Sequence, residues 1–166
     1  MGRLLRFLAM FACVYGVLEG MYFILPDDFL RDVYHRCFTT VGAEIIQLFT
    51  PDEPVAARAN ILQSGTMALE VVRGCDGAGA AFLLIAAITS YPARPWRKLL
   101  GLTVAVILIY ILNEMRLVGL FYMATRHPPW FLPMHVYFAP TLVIALSCIY
   151  FAWWTAFVPV RRNEAF

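Results

Sequence analysis

The sequence predicts an all-α polytopic membrane protein with four transmembrane helices, an outer-surface amphipathic helix and a small extracytoplasmic β-hairpin. Three observations predict it. The 166 residues are 61% hydrophobic and 14% charged, whereas a soluble domain is about half apolar and about a quarter charged. Four apolar stretches approach the roughly 20 residues that a bilayer crossing takes. Basic residues cluster at alternate ends of those stretches. A chain this short makes one small core, which cannot absorb the apolar excess, so a cytosolic enzyme, a secreted disulfide scaffold and a disordered tail are excluded. The net charge of +2 supplies no basic field for nucleic acid.

The first span covers about residues 7–25 and stops at Pro26-Asp27-Asp28. Residues 28–49 follow as a helix in which Phe29, Val33, Cys37, Val41 and Ile45 recur every fourth position. Asp28, Arg31, Asp32, His35 and Arg36 take the other face, which suits a helix lying on a membrane surface. After the loop Pro51-Asp52-Glu53-Pro54, a hairpin is expected over about residues 57–72, turning at Gln63-Ser64-Gly65-Thr66. The second span, about 75–91, is short unless Cys75-Asp76-Gly77 forms its first turn. The third, about 99–123, is interrupted by Asn113-Glu114-Met115-Arg116, and the fourth covers about 136–158. No internal repeat is visible, and residues 1–166 read as a single integral membrane domain.

Charge orients the spans. Arg3 and Arg6 precede the first, Arg94, Arg97 and Lys98 lie between the second and third, and Arg161 and Arg162 follow the fourth. Four crossings put all three clusters on one side, which the positive-inside rule makes cytoplasmic. Both termini then lie inside, and residues 26–74 and 124–134 face out. A fifth crossing through residues 28–49 would bury several charges and break this agreement. The first span has a basic start but no Ala-x-Ala cleavage site, so it reads as retained.

This topology gathers polar groups at one depth. Arg116 lies 17 residues after Leu99, roughly 25 Å along a helix and near the outer boundary. Asn113 is one turn earlier on the same face. Cys75 begins the second span on that side and His135 precedes the fourth. An ionisable side chain at membrane depth costs about 2.5–3.5 kcal/mol and marks function by default.

Cysteine, histidine and a fixed positive charge make a workable acyl-transfer set. A thiolate is favoured at a helix N-terminus or beside a cation. His135 can take the thiol proton and return it to a leaving amine. Arg116 can hold an oxyanion through its planar fork. Asp76, Glu70 and Arg73 flank the cysteine, as substrate contacts or as solvated charges. Glu19, about 9 Å below the outer end of the first span, pairs with Arg116, lines a groove or packs as a protonated acid. His127 is a lesser candidate for the catalytic imidazole, His35 reads as solvated, and Cys13 and Cys148 read as packing residues. No metal-ligand spacing, phosphate loop or cofactor motif is present.

The order Gly-Cys-Asp-Gly at 74–77, Asn-x-x-Arg at Asn113 and Arg116, and His135 before the last span resembles the exosortase/archaeosortase family over roughly residues 55–158. Asp76 stands where Ser, Thr or Asn often follows the cysteine. The resemblance implies a polytopic transpeptidase with a catalytic Cys75, Arg116 and His135; Asn113 of the same motif, and Asp76 and Glu19 read from their positions, are the supporting candidates. It further implies substrates bearing a C-terminal sorting signal of the PEP-CTERM kind, and a lipid, glycan or water acceptor. Two rivals remain: a quinone-linked membrane thiol oxidoreductase using Cys37 and Cys75, and a non-enzymatic subunit whose polar residues bind partner helices.

Overall fold

Backbone polar groups in a bilayer must be satisfied within their own segment, so long apolar stretches become helices. In the computed structural model, which describes residues 2–65 and 67–158, helix α1 spans Gly2–Ile24, α4 spans Ala78–Ser90 and α5 spans Pro95–Arg126. Thr66, the side chain of Arg3 and the basic pair Arg161 and Arg162 lie outside the described residues. Among the described residues, three helical stretches are long and apolar enough to cross a membrane: Leu4–Ile24, Pro95–Arg126 and Pro128–Phe157. The chain is therefore a mostly helical membrane protein. The expected second span is shorter than the other three, because α4 has 13 residues, about 20 Å of helix.

Residues 27–49 are helical throughout, as α2 (Asp27–Tyr34), a π-helical turn (His35–Thr39) and α3 (Thr40–Phe49). Pro26 precedes the first turn, where Asp27 and Asp28 complement the helix dipole. The face that packs within the fold is distinct from the apolar stripe, which a helix on a membrane surface turns toward lipid. Leu30, Tyr34, Thr39, Ala43 and Ile46 are buried, whereas Phe29 is 54% exposed and Cys37 is exposed too. The π turn supplies the reason. Thr40 donates its backbone N–H to the His35 carbonyl, five residues back, and this wider turn rotates the packed face between Tyr34 and Thr39.

The expected hairpin is instead a three-stranded antiparallel sheet in the order β1 (Val55–Arg58), β2 (Ile61–Ser64), β3 (Met67–Glu70). Arg58 pairs with Ile61 across a two-residue connection, which Ala59 makes possible by adopting φ +50°. Ala carries no turn signal, so the run from Arg58 to Leu62 reads as one strand in sequence although it turns. The alternation is clean. Val55, Leu62, Ser64 and Leu69 are buried on one face, and Ala56, Arg58, Gln63, Ala68 and Glu70 are exposed on the other. The buried face packs on α3, and Gln47 Nε2 donates to the Val55 carbonyl. Asn60 closes the far end by donating to Glu70 and to the Val71 carbonyl.

The expected outer loop 124–134 is almost wholly helical. α5 runs to Arg126, and α6 (Pro128–Pro133), a second π-helical turn (Met134–Phe138) and α7 (Ala139–Phe157) follow. The Pro-Pro pair that suggests a turn sits at the first helical positions, where a missing N–H costs nothing.

The chain forms two compact units. One contains residues 1–24, 78–110 and 143–166, and the other residues 25–77 and 111–142. In the first, α1 packs on α4, with Tyr22 and Phe82 edge to face at 5.6 Å. There, too, the α7 hydroxyl of Tyr150 donates to the Gly101 carbonyl at 2.7 Å. A Cβ at Gly101 would stand 2.5 Å from Trp154 Nε1, so that helix contact demands glycine. Gly101→Ala should therefore destabilise by about 1–3 kcal/mol through overpacking, whereas Gly119→Ala, inside the same helix with nothing within 4 Å of its added Cβ, should stabilise by up to about 1 kcal/mol. Thermal unfolding of the two purified variants in detergent, followed by tryptophan fluorescence, measures the difference.

Candidate active site

The second unit contains every residue of the candidate site except Glu19. Cys75 lies in a loop, not in the first turn of α4 as expected. Gly74 and Gly77 adopt φ +83° and +78°, left-handed values that interrupt the helix and delay its start to Ala78. The dipole argument from its own helix therefore does not apply to the thiol directly. The loop is pinned on both sides of the cysteine. Arg73 donates to Asp27 at 2.9 Å and also to the Leu25 carbonyl. Asp76, only 8% exposed, accepts from the Tyr34 hydroxyl at 3.0 Å. It is a buried, partnered acid rather than a solvated one.

α5 supplies the facing wall. A Cβ on Gly77 would lie 3.3 Å from Asn113, so the loop backbone passes against that side chain. Asn113 is 3% exposed, and its Oδ1 has no hydrogen-bond partner among the described residues. One turn further along, Arg116 likewise keeps an unpartnered, buried Nε.

The second π turn supplies the imidazole. His135 Nε2 lies 3.6 Å from Cys75 Sγ, within reach of a sulfur hydrogen bond. Arg116 belongs to the same compact unit. Phe131, four residues earlier on the helix, stacks on the imidazole at 5.5 Å and 9°. That contact fixes the ring plane, while Nδ1 remains without a partner among the described residues. A thiol and an imidazole thus meet in the unit that also contains the Arg116 guanidinium, residue types suited to nucleophilic acyl transfer.

The remaining candidates fall elsewhere. His127 is exposed ahead of α6. His35 is not merely solvated, because its Nδ1 lies 3.0 Å from the Ala59 carbonyl, which that residue's positive φ presents. Glu19, in the first unit, accepts from the Tyr15 hydroxyl one turn below at 2.8 Å. Cys13 and Cys148 are exposed on their helices rather than packed.

Sequence reasoning missed three residues. Phe131 was detectable as an i, i+4 neighbour of His135. Tyr34, 42 residues from Asp76, had no local signal. Glu114 was visible as a charge in an apolar run but had no assigned role. It is 4% exposed, with both carboxylate oxygens unpartnered among the described residues, and it faces Gly42, whose added Cβ would lie 3.7 Å from Oε2.

A family model described as Transmembrane exosortase matches residues 2–154. No curated protein and no solved structure matches the chain.

The Cys75–His135 contact predicts a chemical signature independent of any substrate. With the other three cysteines replaced by serine, His135→Ala should slow maleimide alkylation of Cys75 at neutral pH by roughly tenfold, as loss of a charge-assisted hydrogen bond of about 1.5 kcal/mol would. His127→Ala should leave the rate unchanged. Alkylation time courses read by mass spectrometry check both.

Proposed function

The chain belongs to the transmembrane exosortase family, and from that premise we propose that it is a membrane cysteine transpeptidase acting on C-terminal sorting signals of exported proteins. The 3.6 Å approach of Cys75 Sγ to His135 Nε2 carries the reading. The thiol proton passes to His135, and the sulfur attacks the carbonyl carbon of the scissile peptide. Arg116 holds the tetrahedral oxyanion. The C–N bond then breaks, the proton returns from His135 to the leaving amine, and the membrane-anchor fragment departs. An acceptor amine or hydroxyl, on a lipid or a glycan, gives its proton to His135 and attacks the thioester carbonyl; the C–S bond breaks, and the proton returns from His135 to the Cys75 sulfur. Water in that place makes the reaction a hydrolysis.

The proposed topology has four crossings, with α4 as the short second one. Arg6 and the basic segment Arg94–Lys98 lie on the cytoplasmic side, and Cys75 faces out. Asn113 lies against the Cys75 loop at Gly77 and acts as a positioning residue. Asp76 does the same through Tyr34.

Hydroxylamine-cleavable capture of a co-expressed substrate on Cys75 tests the reading directly. Cys75→Ala should abolish processing, while Cys13→Ala and Cys148→Ala retain it. Unimpaired processing by the Cys75→Ala protein would remove the nucleophile and the mechanism with it.

Arg116 is proposed to do more than carry charge. A lysine keeps the charge and reaches the interface but lacks paired planar donors. At equal membrane levels, Arg116→Lys should process substrate at least about a hundredfold more slowly, as expected for loss of an oxyanion donor. Pulse-chase conversion of the substrate checks it.

A further inference from the structure

The first unit contains a cavity of about 390 Å³, far in sequence from the cysteine chemistry, at the end of α5 that carries the basic loop. Its size falls within the range of small-molecule sites, about 300–1,000 Å³. Trp96, Val104, Tyr150, Trp153 and Trp154 line it, and Arg97 is the charged residue in its wall. Three of the chain's four tryptophans thus meet at one place. Trp154 is pressed on Gly101, and the Tyr150 hydroxyl is spent on the Gly101 carbonyl, so these aromatics present apolar faces to the cavity. Trp96 is 57% and Trp153 58% exposed, so the cavity is accessible from the surface.

The Arg97 guanidinium is the exception to that apolar wall. It lies 5.1 Å over the Trp96 ring, and its Nε is buried without a hydrogen-bond partner among the described residues. It sits in the first turn of α5, where the helix dipole also favours an anion. An occupant must therefore combine one anionic group with a long apolar body. In a membrane protein that combination describes a bilayer lipid.

We propose that this cavity binds an anionic phospholipid, its phosphate on Arg97 and an acyl chain among Trp96, Tyr150, Trp153 and Trp154. The charge pairs a planar donor fork with phosphate oxygens, and the aromatic wall replaces bulk lipid around the chain. Arg94, exposed in the loop and outside the cavity wall, contributes diffuse attraction alone.

Lipids brominated on the acyl chain test this, because bromine quenches tryptophan on contact. With Trp130→Phe as background, all emission comes from Trp96, Trp153 and Trp154. The full chain is reconstituted in vesicles containing brominated phosphatidylglycerol diluted in phosphatidylcholine, or the reverse. At equal mole fraction, brominated phosphatidylglycerol should quench as though enriched roughly fivefold at the site. Arg97→Gln should abolish that preference, and Arg94→Gln should retain it. Equal quenching by the two lipids, equal loss in both variants, or displacement by inorganic phosphate alone would each overturn the proposal. Should Arg97→Gln fail to accumulate, Val104→Phe decides: filling the cavity must lower quenching by phosphatidylglycerol, and unchanged quenching overturns the assignment.

Discussion

The second unit depends on one close approach, that of the loop 73–77 to α5 at Asn113. A Cβ on Gly77 would come within 3.3 Å of that side chain, and the residue's φ of +78° disfavours any L side chain there. Two anchors complete the placement. Arg73 ties the loop's entrance to Asp27 and the Leu25 carbonyl, and Tyr34 holds Asp76 immediately after the cysteine. Cys75 sits between these restraints, on a segment too short to move without breaking one of them.

Polar groups accumulate around that approach without mutual satisfaction. Asn113 Oδ1, both Glu114 oxygens, Arg116 Nε and His135 Nδ1 are buried and unpartnered among the described residues. A buried donor or acceptor left unpaired costs about 1–3 kcal/mol, so a fold that retains several has a use for them. On the proposed mechanism Arg116 spends that capacity on the oxyanion. Glu114 has no such assignment, although its position against Gly42 leaves room for the carboxyl that a larger residue would take.

Both π-helical turns bear on position. The first, His35–Thr39, shifts the packed face of the surface helix and brings His35 and Thr39 to the Ala59 carbonyl. The second, Met134–Phe138, contains His135. An extra residue in a turn re-aims every side chain beyond it, and the effect leaves no trace in a four-residue periodicity. The stripe Phe29-Val33-Cys37-Val41-Ile45 is regular in sequence, and the face buried against the fold, from Leu30 to Ile46, is a different one.

Composition alone determined that this is a membrane protein, since an apolar excess over 166 residues sums along the chain whatever its fold. Helix α1, the continuous helix 27–49, α5 and the last helix were legible for the same reason: apolar runs and their periodicity are local. The order of Cys75, Asn113, Arg116 and His135 was also readable, and it carried the family resemblance. Tertiary structure decided what is not local. It set His135, the imidazole that the motif order already favoured, 3.6 Å from Cys75 across 60 residues of chain. It made a third strand from an alanine in a left-handed conformation, which propensity disfavours and pairing to two strands outweighs. It put Cys75 outside the helix, because Gly74 and Gly77 take left-handed φ angles that sequence permits but does not compel, with Gly77 set against Asn113.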